Sequence, residues 1–78
     1  MIIDYAVAAV APIVPRLLDL EATAAYTGLS SWTIRDLEAS GILCRLRIPL
    51  RNGGELRKLL FDREDLDRLI ARWKEASR

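Results

Sequence analysis

The sequence predicts a mostly α domain with one small β-hairpin, built from three helices and a two-stranded wing. Three observations carry that expectation. Gly28 and Gly41 each close a short apolar-patterned segment, so two helices lie back to back between Asp19 and Leu43. Ile42 to Leu50 mixes apolar and basic residues in near alternation and runs into Arg51-Asn52-Gly53-Gly54, a turn by composition. The segment after Asp62 spaces its apolar residues by three and four. In that order the parts form a winged helix-turn-helix.

Asp19 is placed to cap a first helix that runs to about Thr27, with Glu21 near its positive end and Leu20, Ala24 and Tyr26 on its apolar face. Gly28 stands where a chain leaving a helix turns left-handed, which a residue without a Cβ does at little cost. Leu29 then drops into the core. Ser30 offers an oxygen to the free N–H groups of a second helix, Ser31 to Ser40, closed by Gly41. Ala24 is small enough to let the two helices cross closely, and Ile34 and Leu37 share one face with Ile34 against Leu29. Ser31, Trp32, Arg35 and Glu38 are left pointing outward.

Ile42 to Leu50 is expected as a strand with Leu46, Ile48 and Leu50 on one face and Arg45 and Arg47 on the other; Pro49 marks an edge or an end. Cys44 is expected there as a small buried residue. Leu56 to Phe61 is the returning strand. Asp62 opens a last helix, with Asp65 three residues on and Leu66, Leu69, Ile70 and Trp73 as the stripe that closes the core.

At 78 residues the chain makes one small domain with a modest buried fraction. It divides into an apolar N-terminal arm, residues 1–16, and the helix-turn-helix, residues 17–78. The stretch Met1 to Pro15 is too short to cross a bilayer and is interrupted by Asp4, and it lacks the positive start of a secretory signal, so a cytoplasmic protein with no membrane contact is expected. Ile2, Ile3, Val7, Val10, Ile13 and Val14 fit an arm that covers the domain's own core or docks on a neighbouring copy. With no His and one Cys, the composition offers no zinc cluster, disulfide framework or cysteine–histidine pair. No carboxylate pair, activated nucleophile or phosphate-cradling glycine loop stands at workable spacing either. No enzyme, catalytic residue, metal or cofactor is expected.

Leu20, Ala24, Gly28-Leu29-Ser30, Thr33-Ile34, Leu37 and Gly41-Ile42-Leu43, followed by an arginine-rich hairpin and Phe61-Asp62-Arg63-Glu64-Asp65-Leu66, together resemble the excisionase and MerR-type family of small winged helix-turn-helix DNA-binding domains. The resemblance covers roughly Leu17 to Trp73. Thr23 and Thr27 stand where the family more often has Ala and Leu, Trp32 where small or basic residues are common, and the hairpin is longer than typical. The resemblance implies either an excisionase-like role, binding repeated sites in several copies to steer a site-specific recombinase, or a small transcriptional regulator. The chain stops soon after Trp73, so the long dimerisation helix and ligand domain of MerR-type regulators are not expected. A DNA binder of a phage or mobile element is the expectation that follows.

Charge distribution supports DNA independently of the resemblance. The whole chain is only +1, but Ile42 to Lys58 carries five basic residues against Glu55 alone, a local +4, whereas Asp19 to Gly41 is −3 and Asp62 to Arg78 is neutral. A basic hairpin beside a helix with polar outward residues is the footprint of a protein that grips phosphate with one element and reads bases with another. In the major groove, Arg35 is the candidate for guanine readout; its alternative is a surface salt bridge with Asp36, Glu38 or a neighbour. Ser30, Ser31 and Thr33 sit at the helix start, where Ser31 and Thr33 with backbone N–H groups meet phosphate; Thr33 serving only the local cap is the alternative. Trp32 either touches a thymine methyl or the backbone or folds back over the hairpin. Glu38 can accept from cytosine N4 or simply be solvated, as Asp36 is. Arg45, Arg47, Arg57 and Lys58 are phosphate contacts, and Arg51 and Asn52 at the wing tip are placed for a minor groove. A single domain of this size covers a short site, so self-association on double-stranded DNA is expected. A winged-helix protein-interaction module without DNA binding is the alternative, motivated by the acidic residues of the second helix and the apolar arm.

Overall fold

The computed structural model describes residues 14–78, so the expected apolar arm falls almost wholly outside the described residues. The chain is a mostly helical small domain with three helices and a two-stranded antiparallel sheet. The order is β1 (Leu17–Asp19), α1 (Leu20–Thr27), α2 (Ser31–Ala39), β2 (Leu60–Asp62) and α3 (Arg63–Ala76). Each strand ends in an aspartate that caps the helix it feeds. Asp19 accepts from the Ala22 N–H at 2.8 Å, and Asp62 accepts from the Glu64 N–H at 3.0 Å.

The sheet differs from the expected hairpin. β2 pairs with β1, register Leu17 to Asp62, Leu18 to Phe61 and Asp19 to Leu60, while the segment that follows α2 contributes a single bond to it, from Leu46 N–H to the Leu60 carbonyl. The pairing sets Leu18 opposite Phe61, and both side chains are buried at the centre of the core with Ile34, Leu43, Leu66 and Leu69. That burial decides the partner, because each large apolar side chain removed from water contributes about 1.5 to 3 kcal/mol.

Residues 42–59 instead form an irregular arm. Neither the strand Ile42 to Leu50 nor the strand Leu56 to Phe61 exists as expected; only a Pro49–Glu55 bridge and the last two residues of the second belong to ladders. Near the tip, Leu50 N–H bonds the Gly54 carbonyl and Leu56 N–H bonds Ile48, while at the base Leu46 N–H bonds Leu60. The return side therefore carries two more residues than the outgoing side between these bonds, which breaks the register. Pro49 sits at a non-hydrogen-bonded position of its bridge, where the missing N–H removes no bond from the ladder. The turn itself is as expected: Gly53 has φ +89° and Asn52 Oδ1 accepts from Gly54 N–H at 3.0 Å.

The helices match their expected bounds to within a residue. Gly28 has φ +79° and its N–H reaches the Ala24 carbonyl at 2.8 Å, and Gly41 closes α2 at φ +81°. The apolar face of α1 is a correction. Its stripe is Leu20, Thr23, Ala24 and Thr27, with Thr23 fully buried, whereas Tyr26 is exposed and donates its hydroxyl to Asp67 of α3 at 2.7 Å. The threonine hydroxyls are satisfied by backbone: Thr27 donates to the Thr23 carbonyl at 2.8 Å and Thr23 makes a long bond to the Leu18 carbonyl at 3.4 Å. Leu66 and Leu69 of α3 are buried as expected, but Trp73, expected in the same stripe, is exposed because it lies on the last turns of α3, past the buried cluster, which ends at Leu69. Cys44 is exposed rather than buried, because the arm that carries it is no strand and the chain buries Leu43 instead.

Arg16 ties the start of β1 to the start of α3. Its Nε and Nη2 donate to the two Asp62 carboxylate oxygens at 2.8 and 3.1 Å, and Nη2 also reaches Glu64. The guanidinium, and then the Glu64 N–H, lower the Asp62 pKa to about 2 from an ordinary 3.8. A depressed carboxylate pKa contributes stability that is present above the ordinary value and is lost as pH falls from about 3.8 towards about 2. Acid unfolding followed by circular dichroism is expected to show a shallower loss through this window for Asp62→Asn than for the wild type. Superimposable pH slopes would mean that Asp62 contributes nothing.

Candidate nucleic-acid interface

The first turn of α2 is built by its cap. Ser30 is extended at φ −73° and its hydroxyl accepts from the Thr33 N–H at 3.1 Å, while the Ser30 and Thr33 hydroxyls lie 2.9 Å apart. Thr33 thus serves the local cap, and Ser31 beside it is half-buried. The next positions face solvent. Trp32 is 73% exposed, so it does not fold back over the arm, and Arg35 is exposed with no ion pair among the described residues. The salt bridge to Asp36 or Glu38 weighed for Arg35 does not form. Glu38 is half-buried on the flank of the helix.

The basic residues of the arm fall into distinct settings. Arg51 is exposed at the tip. Asn52 beside it has its side-chain oxygen engaged by Gly54, which leaves its amide N–H groups for a ligand. Arg47 Nη1 lies 3.2 Å from Glu55 Oε1 across the arm. Arg45 is half-buried, and its Nη2 donates to the Arg57 carbonyl at 3.3 Å, so this guanidinium braces the two sides of the arm; its Nε is buried without a partner. Arg57 itself is exposed.

Lys58 is the point where arm and helix meet. It lines an open cleft of about 240 Å³ together with Arg35, Asp19, Leu20, Glu21 and Leu59, and its Nζ is 3.8 Å from Asp19 Oδ2. The fold therefore brings a cation of α2 and a cation of the arm to one hollow beside the start of α1, with Arg51 and Asn52 at the other end of the arm. Arg35, Lys58 and Arg51 are exposed cationic donors, and Trp32 is an exposed ring.

Sequence reasoning missed the carboxylates in this arrangement. Asp19, Glu21 and Glu55 stand beside the basic groups. For Glu55 a signal existed: counting outward from the Asn52 turn places Glu55 against Pro49, within reach of Arg47. For Asp19 there was none, because only the fold brings Lys58 to α1. A second open cleft, about 210 Å³, lies between Ile42, Leu43 and Cys44 and the Asp65, Arg68, Leu69 and Arg72 side of α3.

No helix among the described residues is long and apolar enough to cross a membrane. Comparison with protein-family models, curated proteins and solved structures found no match for this chain.

Proposed function

We propose that this chain is a sequence-specific double-stranded DNA-binding protein of the winged helix-turn-helix, excisionase-like type, acting in the cytoplasm as a recombination directionality factor or a small transcriptional regulator. One observation carries the reading: a capped helix with exposed Trp32 and an Arg35 that makes no ion pair among the described residues stands beside a basic arm whose Lys58 shares a cleft with Arg35. In this mechanism α2 enters the major groove. Arg35 and Trp32 meet bases, with Glu38 beside them, while Ser30 and Thr33 hold the cap and Ser31 with the first backbone N–H groups of α2 meets a phosphate. Arg47, Arg57 and Lys58 hold the backbone, Arg51 and Asn52 reach a minor groove, and Arg45 keeps the arm in shape. The arm serves as the wing without being a regular β-hairpin. The short footprint calls for several copies on repeated sites, and a site-specific recombinase is the partner in the excisionase role.

Selection of random-sequence duplexes with the purified chain, followed by titration at low and moderate salt, tests the proposal. A short recovered motif, bound with a steep salt dependence, is the expected result. No binding to any duplex at low salt overturns it. The second reading, a protein-interaction module, is favoured by one observation, that α2 exposes Trp32 with the exposed carboxylate of Asp36 one turn on. Retention of a protein partner by a chain that binds no duplex would select it.

A further inference from the structure

Two cations of the arm already hold a carboxylate. Arg47 is paired with Glu55 and Lys58 approaches Asp19, whereas Arg35, Arg51 and Arg57 make no ion pair among the described residues. We propose that Glu55 and Asp19 are resident counter-ions of the basic arm, which DNA phosphates must displace before Arg47 and Lys58 can grip them. The proposal rests on the duplex-binding reading above.

Carboxylate and phosphate oxygens compete for the same N–H donors. The side chains of both pairs remain 41 to 68% exposed, so they are weakly held and exchange readily. A phosphate that displaces Glu55 gains Arg47 but leaves an ionised carboxylate beside a polyanion. The net neutralisation by such a pair is close to zero, and its share of counter-ion release is lost. Because phosphate contacts carry no sequence information, the resident carboxylates weaken binding to every duplex alike and leave base recognition untouched. Asp19 has two separable tasks: Oδ1 caps α1 and Oδ2 faces Lys58. Asparagine keeps the cap and removes the charge.

The test titrates the whole chain with its selected duplex and with an unrelated one across a salt series, comparing wild type, Glu55→Gln, Asp19→Asn and Glu75→Gln. Glu75 pairs with Arg78 at the end of α3 and serves as a control for net charge. Glu55→Gln is expected to bind both duplexes about two- to five-fold tighter and to steepen the salt slope by about 0.9. Asp19→Asn shifts both in the same direction, and Glu75→Gln shifts neither. Arg47→Ala is expected to matter more in the Glu55→Gln background than in the wild type. Equal gains from Glu75→Gln, or wild-type binding unchanged by Glu55→Gln, overturn the counter-ions and leave the duplex reading standing. Absence of binding by every variant defeats that reading and the counter-ions with it.

Discussion

Phe61→Ala is expected to lower stability by about 3 to 5 kcal/mol, the range for emptying a large aromatic site in a close-packed core. For a chain of this length the whole folding free energy is roughly 4 to 12 kcal/mol, so the variant lies near the edge of folding. Phe61 is fully buried and has two roles at once: it sits opposite Leu18 in the sheet and packs in the same cluster as Ile34 and Leu66. Its neighbour Leu60 is half-buried, so Leu60→Ala should cost markedly less. Urea unfolding followed by far-UV circular dichroism checks both. A loss below about 1 kcal/mol for Phe61→Ala would place the centre of the core elsewhere. The same experiment separates β1–β2 pairing from a conventional hairpin, in which Leu18 and Phe61 need not couple. A Leu18→Ala and Phe61→Ala cycle should show a clear interaction energy, since the two are paired in register.

Arg35→Ala is expected to cost about five- to 160-fold in affinity for the selected duplex, corresponding to about 1 to 3 kcal/mol for a bidentate guanine contact. Unrelated duplexes should lose far less. Arg51→Ala provides the contrast: a tip cation on phosphate or in a minor groove weakens every duplex and flattens the salt slope by about 0.9. The distinction is sharp because Arg35 shares its cleft with Lys58. If Arg35→Ala weakens all duplexes equally and flattens the salt slope, Arg35 works with Lys58 on phosphate, and base reading passes to Trp32 and its neighbours. Arg35→Lys refines the point, because an ammonium keeps the charge but cannot form the planar two-bond fork. Retained affinity with lost preference is the signature of readout.

Local physics wrote the helices plainly into the sequence. Asp19, Ser30 and Asp62 act as caps within their own helix starts, and Gly28 and Gly41 end helices because their backbone is left-handed there. All five effects span a few residues, so no distant partner is needed to infer them. Leu66 and Leu69 of the α3 stripe were legible for the same reason, whereas spacing alone could not show that Trp73 lies past the core. On α1 the periodicity held but the residue types misled: Thr23 and Thr27 lie on the buried stripe because backbone carbonyls take their hydroxyls, and polarity alone argued for Tyr26 instead.

The three helices with their caps and ends, the chemistry of the Asn52–Gly54 turn and the segment that concentrates positive charge are all readable from neighbouring residues. Only the assembled fold shows what the strands pair with, that Cys44 is exposed, that Arg45 braces the arm and that Arg35 and Lys58 line one cleft. A helix closes its hydrogen bonds within one turn, whereas a strand closes them on whichever edge buries the most apolar surface. Phe61 found that edge at Leu18, far away in the chain, and the irregular basic arm is what remained between.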